Sequence, residues 1–462
     1  MEAFLQTLLL LLLIGVTGGR AQQAPNVTTC VPGPTQRLSN GVDMPRVSFG
    51  TAALPRGRGH ERIIAAALDA GFRSFDTAQA TEWYDEVAVA STLNASRLPR
   101  SHFFVTTKLH PRDLGYDAAK IAIEKSLARF DFQSEQKKSE QAPYLDLVLL
   151  HYPRCFSPVC TTAEQRRTET PDKTGEVGWR AAWRALTEFV AVGKIRAIGV
   201  SNFDLTELQH VKPQPHVVQN WFDPFRQDRN VLEWCRANSV AYTSYSTLGG
   251  QWTHQRTPED GGHRANPVFT SRVLRDIAAA HSVDVFRGRQ DDQDQSPQPA
   301  VVSPAHVVLS WALQRGVLVL PRSSSSKHID ENAVRFLPER RRKVKQQRDG
   351  SQYSGELSTT PYTLDTEANK GGIGVFLSEA ELHAIDVLDG TEDSHSQCPH
   401  WAGLGECEKN PRYMLNSCRV SCDVEAAPSS IKIAQQPALL GCGSSTANNF
   451  GNREGGSSGE EL

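Results

Sequence analysis

The sequence has almost no net charge, no internal repeat of fixed period and no glycine-rich dinucleotide motif. Its 50 lysine and arginine residues nearly balance 52 aspartate and glutamate residues, which leaves a formal charge of −2. Electrostatic attraction therefore gives no support for a nucleic-acid partner. No Gly-x-Gly-x-x-Gly follows an apolar run, so a Rossmann dinucleotide site is not expected. Hydrophobic residues make up 39% of the chain, enough for a sizeable core.

Only one long hydrophobic run is present, at the N-terminus. Leu8–Val16 is too short to span a bilayer comfortably, and Gly19 and Ala21 follow it as cleavage positions. This pattern predicts a secretory signal peptide over residues 1–21, although no lysine or arginine precedes the apolar run. The alternative is an uncleaved signal anchor. We expect a protein of the ER lumen or a secreted protein, with no stable membrane insertion after cleavage.

Short apolar runs alternate with helical patterns between about Val47 and Ile385. Runs rich in valine, isoleucine and leucine, without strict alternation, are typical of parallel strands that are buried on both faces. Counting residues 47–51, we identify eight strand–helix units, which favour a TIM barrel over an open sheet. The other runs are residues 73–78, 102–108, 145–151, 195–202, 216–220, 240–246 and 316–321, and the clearest helical stretches are 61–71, 116–130 and 179–193.

Three polar segments interrupt this alternation, at residues 133–143, 286–299 and 337–372. We interpret them as solvated insertions. Contact of the basic half of 337–372 with nucleic acid or a membrane is the alternative. Residues 377–390 then predict an amphipathic helix, and the tail 426–462, rich in serine, glycine and asparagine, is expected to be disordered.

Three successive predicted strands end in a carboxylate, an amine and an imidazole. These are Asp76, Lys108 and His151. In a TIM barrel the chemistry gathers at the C-terminal ends of the strands, so we expect the three side chains to converge. Each one alone would be ordinary, because a lysine after a strand is usually solvated, but three in succession are improbable by chance.

The chain resembles the aldo-keto reductase family over about residues 38–390. The motifs that carry the resemblance are MPRVSFGTA, FDTA, VTTKLHP, LDLVLLHYP, GKIRAIGVSNF, VVQN, YTSYSTLGG, LSWALQRGVLVLPRS and LSEAELHAID. The resemblance implies a (β/α)8 TIM barrel that reduces an aldehyde or ketone to an alcohol with NADPH and without a metal. The family's catalytic tetrad implies that Asp76 pairs with Lys108 and that His151 orients the carbonyl oxygen.

The tyrosine of that tetrad departs from the family spacing. It usually lies five residues after the aspartate, where this chain has Thr81. Residues 89–93 resemble the V-G-x-A-L of the following helix, and counting back from them puts Tyr84 within one residue of the expected place. We predict Tyr84 as the proton donor, with its pKa lowered by the Lys108 ammonium. The alternative is that Trp83 and Tyr84 only wall the pocket.

The resemblance also implies a set of cofactor contacts along the later strand ends. One group surrounds the nicotinamide and the pyrophosphate, and the other surrounds the adenosine 2′-phosphate and the adenine. A guanidinium in the second group suits a phosphate and favours NADPH over NADH. The residues are Ser201, Asn202, Gln219, Tyr245, Ser246 and Leu248 in the first group, and Arg322, Ser323, His328, Glu331 and Asn332 in the second.

Aromatic residues near the predicted site indicate the kind of substrate. Trp83, Tyr152 and Trp221 would line the pocket, which favours a small apolar or aromatic carbonyl compound. Just after His151, a spacing of five residues lets Cys155 and Cys160 form a bridge over the pocket rim. Cys235 lies in a helical stretch and is expected to be a buried thiol, and Cys30 and Cys442 remain unassigned.

A second resemblance covers residues 391–425. CPHWAGLGEC, NPRYM and CRVSC are similar to the ShK toxin-like (ShKT) domain, and dense cysteines suit an oxidising lumen. Thr391 and Glu425 occupy the first and sixth cysteine positions of the family, so one bridge is missing as a pair. The resemblance implies the bridges Cys398–Cys418 and Cys407–Cys422. The chain then has a second possible function, as a catalytically weak, cofactor-holding barrel that binds a protein partner through this module.

The sequence also contains two N-glycosylation sequons, at Asn26 and Asn94. Such sequons accept glycans on surface segments of proteins that enter the secretory pathway. They agree with the predicted signal peptide, although sequons also arise by chance.

Overall fold

The computed structural model of the chain describes residues 34–132, 142–254, 265–282, 302–333 and 375–389. Within these ranges no helix has the length and apolar character needed to cross a membrane. Several predictions lie outside the described residues: the signal peptide, the insertion 337–372, nearly all of the polar segments 133–143 and 286–299, the ShKT-like module with its two bridges, and the tail.

Eight parallel strands form the central sheet, in the order β3 to β10, and each strand pairs with the next one in the chain. Two short antiparallel strands, β1 and β2, precede them. The strands are β1 (Thr35–Arg37), β2 (Asp43–Pro45), β3 (Phe49–Gly50), β4 (Ser74–Asp76), β5 (Phe104–Leu109), β6 (Leu145–Leu150), β7 (Ile195–Ser201), β8 (Val217–Trp221), β9 (Ala241–Tyr245) and β10 (Leu318–Val319).

The two edges of this sheet meet and close it into a barrel. Val47, just before β3, forms a parallel bridge with Val319 of β10. The backbone N–H of Ser48 donates to the carbonyl of Val319 at 2.9 Å, and the N–H of Val319 donates to the carbonyl of Arg46 at 2.9 Å. The predicted (β/α)8 TIM barrel is therefore confirmed, because the last strand of the series returns to the first.

Side-chain alternation along the strands divides the core into an inner and an outer layer. Phe104, Leu147 and Leu149 belong to a small cluster inside the barrel, whereas Val148 and Leu150 pack in the large cluster beneath the helices. With a period of two, the inward direction of Phe104 on β5 carries over to Lys108 at the other end of that strand. The barrel geometry therefore turns this lysine toward the interior.

The helices surround the barrel and agree with the predicted stretches to within a few residues. Gly71 and Gly193 lie just beyond two of them at φ 92° and 75°, as expected for glycines that end a helix. The helices are α1 (Arg58–Asp69), α2 (Glu86–Ala95), α3 (Tyr116–Arg129), α4 (Thr162–Glu169), α5 (Gly178–Ala191), α6 (Leu205–Leu208), α7 (Arg229–Ala237), α8 (Pro267–Thr270), α9 (Arg272–His281), α10 (Pro304–Gln314), α11 (Ser326–Asn332) and α12 (Glu379–Asp386).

The β1–β2 hairpin covers the N-terminal end of the barrel. Leu38 and Met44, in and beside its turn, are buried in the inner cluster together with Phe104 at the start of β5. The sequence analysis did not identify this hairpin. Since these side chains fill that end, the opposite end, where the strands finish, is the one that carries the predicted polar residues.

Candidate active site

The segment between β4 and α2 brings Tyr84 to the mouth of the barrel. It continues to pair with β5, because the N–H of Thr77 donates to the carbonyl of Thr106 at 2.8 Å and that of Gln79 to Lys108 at 3.1 Å. A turn follows, in which the N–H of Tyr84 donates to the carbonyl of Ala80 at 2.9 Å. The chain therefore folds back at Ala80 and returns Tyr84 to the end of β5.

A buried ion pair lies at the centre of the site. Asp76 and Lys108 are each 1% exposed, and the Lys108 ammonium donates to Oδ1 of Asp76. The same Nζ donates to the carbonyl of Thr77 at 3.1 Å and lies 3.4 Å from the hydroxyl of Tyr84. Asp76 Oδ2 accepts a hydrogen bond from Gln219 Nε2 at 2.8 Å. Both carboxylate oxygens are therefore occupied, and the ammonium points at the phenol.

His151 lies against the same phenol. Its ring centroid is 5.8 Å from that of Tyr84 and 5.9 Å from that of Trp83, in edge-on geometry, and 5.0 Å from that of Tyr152. Its Nδ1 is buried and has no hydrogen-bond partner among the residues that the structure describes. The four predicted catalytic residues, Asp76, Tyr84, Lys108 and His151, therefore surround one point at the barrel mouth.

Burial controls the protonation states of Tyr84 and His151. It raises the pKa of Tyr84 well above 10, with the charge of Asp76 acting in the same direction. The expectation of a lowered pKa for Tyr84 is therefore wrong. Burial, then the charges of Lys108 and His110, hold the pKa of His151 well below 6.5. At neutral pH Tyr84 keeps its proton and the ring of His151 is neutral.

Burial also lowers the pKa of the Lys108 ammonium, and the charge and hydrogen bond of Asp76 oppose that shift. The ammonium depends on this one carboxylate to remain charged in an apolar surrounding.

Four of the predicted nicotinamide contacts lie on adjacent strand ends. Ser201 ends β7, Gln219 belongs to β8 and Tyr245 ends β9. Asn202, at φ 60°, accepts a hydrogen bond from the Tyr245 hydroxyl at 2.7 Å and donates from Nδ2 to the carbonyl of His151 at 2.9 Å. The Gln219 amide, which is predicted to contact the carboxamide, also donates from Nε2 to Asp76 Oδ2 at 2.8 Å.

The turn after β9 holds the predicted pyrophosphate contacts. Ser246 has φ 57°, and its hydroxyl accepts a hydrogen bond from the N–H of Gln251 at 2.8 Å. The carbonyl of Leu248 accepts from Asn266 Nδ2 at 2.8 Å. The two residues therefore belong to a tight turn that is fixed at both ends.

The residues predicted to hold the adenosine end follow β10. Arg322 donates from Nη1 to the carbonyl of Ala53 at 3.0 Å and pairs with no carboxylate in the described part of the chain. The Ser323 hydroxyl accepts from the N–H of Ser325 at 3.1 Å. An exposed guanidinium without an anionic partner, beside serine hydroxyls, fits a phosphate group.

The remaining predicted residues of this end lie on α11. His328 is exposed, Asn332 is buried, and Glu331 lies 3.9 Å from Lys327 across one helical turn. These side chains share the short helix that follows Arg322.

Aromatic side chains surround the mouth, as predicted, and two of them were missed by the sequence analysis. Trp83 is 37% exposed, and Tyr152 contacts Phe156 at 5.0 Å between ring centroids. Trp221 contacts Trp252 at 5.1 Å. Phe156 and Trp252 were missed because Phe156 lies in a loop and Trp252 in a single 3-10 turn, where no periodic pattern marks the buried side.

A buried carboxylate fixes the tryptophan pair. Asp223 Oδ2 accepts hydrogen bonds from the indole N–H of Trp221 and of Trp252, each at 2.8 Å. Burial raises the pKa of Asp223 to about 7. Its spacing of two residues from Trp221 was the signal that could have identified it.

The predicted bridge at the rim is present. Cys155 and Cys160 form a disulfide, with their Cα atoms 5.8 Å apart, and the loop that they close contains Phe156. Cys235 is a buried free thiol, as predicted.

Comparisons with known proteins agree with this architecture. The profile described as "Aldo/keto reductase family" matches residues 46–340, and the profile described as "ShK domain-like" matches residues 391–424. Glyoxal reductase of Bacillus subtilis (strain 168) is 28% identical over 306 residues, which cover 65% of this chain and 87% of that protein.

Two further matches extend this picture. NADPH-dependent codeinone reductase 1-4 of Papaver somniferum is 30% identical over 316 residues, covering 66% of this chain and 84% of that protein. A solved aldo-keto reductase enzyme from a Medee basin deep-sea metagenome library superposes with a TM-score of 0.50 at 20% identity, over 77% of this chain and 95% of that one. The structural likeness concerns the fold alone.

Proposed function

The chain belongs to the aldo/keto reductase family and is an oxidoreductase that acts on carbonyl groups, and we propose that it reduces an aldehyde or ketone to an alcohol with NADPH, with Tyr84 as the proton donor. The observation that carries the proposal is the 3.4 Å separation of the Tyr84 hydroxyl from the buried Lys108 ammonium. The bound cofactor supplies a hydride, and thus both electrons, to the carbonyl carbon.

The side chains of the site supply and control the proton. Tyr84 is protonated at neutral pH, so its O–H can transfer a proton to the oxygen that gains negative charge as the carbonyl is reduced. The phenolate that remains is stabilised by the ammonium of Lys108, which Asp76 holds in place. The neutral ring of His151 lies beside the phenol and orients the same oxygen. Solvent then returns a proton to Tyr84.

The choice of cofactor rests on the adenosine end. Arg322 presents a guanidinium without a carboxylate partner among the described residues, and Ser323 follows it. This pair favours the 2′-phosphate of NADPH over the 2′-hydroxyl of NADH. Relatives of this chain include one named as NADPH-dependent and one named as NAD(P)H-dependent, which supports a nicotinamide cofactor.

The substrate class follows from the rim. Trp83 and Tyr152 lie against His151 beside the phenol, and Trp221 at the end of β8 adds a further aromatic ring, so we propose an apolar or aromatic carbonyl compound.

NADPH oxidation with a panel of aldehydes and ketones tests the reaction. We expect Tyr84→Phe and Lys108→Met to lower turnover by about 10²–10⁴, the usual contribution of a positioned acid. Tyr116→Phe is a matched control, because the Tyr116 hydroxyl contacts Glu188 on the outer surface. Unchanged turnover in both site variants would refute the assignment of the tetrad.

A second function is favoured by the ShK domain-like match over residues 391–424. In this alternative the barrel holds cofactor but turns over little, and the module contacts a protein partner. Binding of NADPH without turnover of any carbonyl in the panel would support it over the first function.

We also propose that the protein enters the secretory pathway by means of the N-terminal signal peptide. A disulfide between Cys155 and Cys160 suits an oxidising lumen, and the sequon at Asn94 lies on an exposed helical position. Glycosidase treatment of the expressed protein should increase its gel mobility, and Asn26→Gln with Asn94→Gln should abolish the change. A cytosolic protein with reduced cysteines and no glycan would overturn this proposal.

A further inference from the structure

We propose that Glu82 and Glu86 are positioning residues that hold Tyr84 against Lys108. They would let Tyr84 act as the proton donor although its spacing from Asp76 differs from that of the family. The inference rests on the proposed role of Tyr84. We call the two glutamates, with their partners Thr107 on β5 and His110 just beyond its end, the carboxylate clamp.

The inner half of the clamp is Glu86, the first residue of α2. Glu86 is only 4% exposed. Its carboxylate accepts a hydrogen bond from Thr107 Oγ1, and its two oxygens lie 2.9 and 3.1 Å from Ser126 Oγ. Arg129 completes the set as its ion partner. Thr107 directly precedes Lys108, so its side chain points to the outer face of β5 while the ammonium points inward. Glu86 therefore fixes α2 to the back of the strand at the level of the ammonium.

The outer half of the clamp is Glu82, in the segment before Tyr84. One carboxylate oxygen lies 3.2 Å from Nε2 of His110, and the other accepts from Nη2 of Arg112 at 2.9 Å. His110 is buried, and its Nδ1 accepts from the N–H of Arg112 at 2.9 Å, which leaves Nε2–H to donate to Glu82. His110 follows Lys108 by two residues, so this contact ties the segment to the open end of β5.

The two halves of the clamp lie on either side of Tyr84 and of Lys108 in the sequence. The glutamates lie two residues before and two residues after Tyr84. Their partners flank Lys108: Thr107 directly precedes it, and His110 follows it by two residues, just beyond the end of β5. The Tyr84 side chain itself has one hydrogen-bond contact among the described residues, the 3.4 Å contact with the ammonium. That contact alone leaves the phenol free to move with its segment, whereas anchors on both sides restrict the segment to one position.

Loss of an anchor should act on the chemical step rather than on cofactor binding. A displacement of about 1 Å at a reacting group can cost on the order of 10² in rate. Neither glutamate lies among the proposed cofactor contacts, so the affinity for NADPH should stay the same.

The test compares Glu82→Ala with the conservative Glu82→Gln, by steady-state reduction and by NADPH fluorescence titration of the number and affinity of sites. We expect Glu82→Ala to lower kcat by roughly 10–10² with an unchanged titration. Glu82→Gln should lose less than Glu82→Ala, because its one amide oxygen still accepts from Arg112, whereas the NH2 group replaces the oxygen that faces His110. Glu124→Ala removes an exposed ion pair with Lys194 and is the matched control.

Substituted benzaldehydes separate positioning of the acid from general damage. An electron-rich carbonyl needs proton donation more than an electron-poor one, so Glu82→Ala should slow reduction of 4-methoxybenzaldehyde more than that of 4-nitrobenzaldehyde. The inner half is tested in the same way with Thr107→Val, which removes the donor to Glu86, against Thr107→Ser, which keeps it.

The outcomes distinguish this proposal from the function on which it rests. A wild-type protein that binds NADPH but reduces no carbonyl overturns both. An active wild type with an unchanged Glu82→Ala variant, or with losses that follow NADPH binding and are equal for the two benzaldehydes, overturns the clamp alone. Equal rates in Thr107→Val and Thr107→Ser overturn the inner half.

Discussion

Replacement of Asp76 by asparagine should lower the free energy of unfolding, because it leaves the buried Lys108 ammonium without a counter-charge. Asp76 and Lys108 are both 1% exposed, and the carboxylate is the one anionic partner of Nζ among the described residues. After the substitution, the ammonium keeps the carbonyl of Thr77 and the Tyr84 hydroxyl but loses its counter-charge. Removal of one partner of a buried pair typically costs about 3–5 kcal/mol of the free energy of unfolding.

The loss should depend on pH in a defined direction. Burial lowers the pKa of Lys108 in the folded protein, and Asp76 opposes that shift, so Asp76→Asn lowers the pKa further. Between this folded value and the unfolded value of about 10.4 the unfolded chain binds more protons, so stability rises with pH. The deficit of the variant against wild type should therefore shrink as the pH rises from the folded pKa of Lys108 in the variant to that in wild type.

Urea unfolding followed by tryptophan fluorescence measures both effects. At neutral pH the midpoint of Asp76→Asn should fall, and the double variant Asp76→Asn/Lys108→Met should recover most of the loss, because a neutral pair of similar volume avoids the unpaired charge. A deficit below about 1 kcal/mol at neutral pH would refute the reasoning, since that is the range of an exposed pair. A deficit that stays constant or grows as the pH rises would refute it equally.

Two further predictions concern turnover. The value of kcat/KM for reduction should be level above about pH 6.5, because burial lowers the pKa of His151 and raises that of Tyr84, and it should fall at high pH when the Lys108 ammonium, whose pKa burial lowers, loses its proton; a decrease of kcat/KM near pH 6.5 would contradict the neutral imidazole. Arg322→Leu should raise KM for NADPH by roughly 10–10²-fold and leave KM for NADH nearly unchanged, since only the 2′-phosphate makes a charge-assisted contact; equal changes for the two cofactors would contradict the proposed phosphate site.

The barrel and most of the catalytic group could be predicted from the sequence because the signals are local. β6 reads LDLVLL and is buried along its whole length, and such runs recur at regular intervals. Parallel strands place all their C-terminal ends at one end of a barrel, so the residues at or next to the ends of β4, β5 and β6 had to be neighbours. Topology alone therefore brings Asp76, Lys108 and His151 together.

Other features depend on contacts between distant segments and leave no such signal. The hairpin β1–β2 consists of two three-residue strands, TQR and DMP, without periodicity, and only its packing against the inner cluster gives it a place. The hydrogen bond from Gln219 to Asp76 joins residues 143 positions apart. The raised pKa of Tyr84 was predicted in the wrong direction because a sequence shows a neighbouring charge but not the depth of burial.

Sequence spacing alone does not decide which residue takes the place of the family tyrosine, but side-chain chemistry favours Tyr84. Spacing offers Thr81, Trp83 and Tyr84, and Thr81 is exposed, with its carbonyl bound by Arg56. An indole N–H is a donor only, so Trp83 could not accept a hydrogen bond from the Lys108 ammonium, whereas a phenol oxygen can. The turn at Ala80 satisfies this requirement, because it exposes the indole at the rim and directs the hydroxyl inward. The Lys108 ammonium thus faces the one of these three residues whose side chain can accept its hydrogen bond, and Tyr84 does so although it lies three residues beyond the usual family spacing from Asp76.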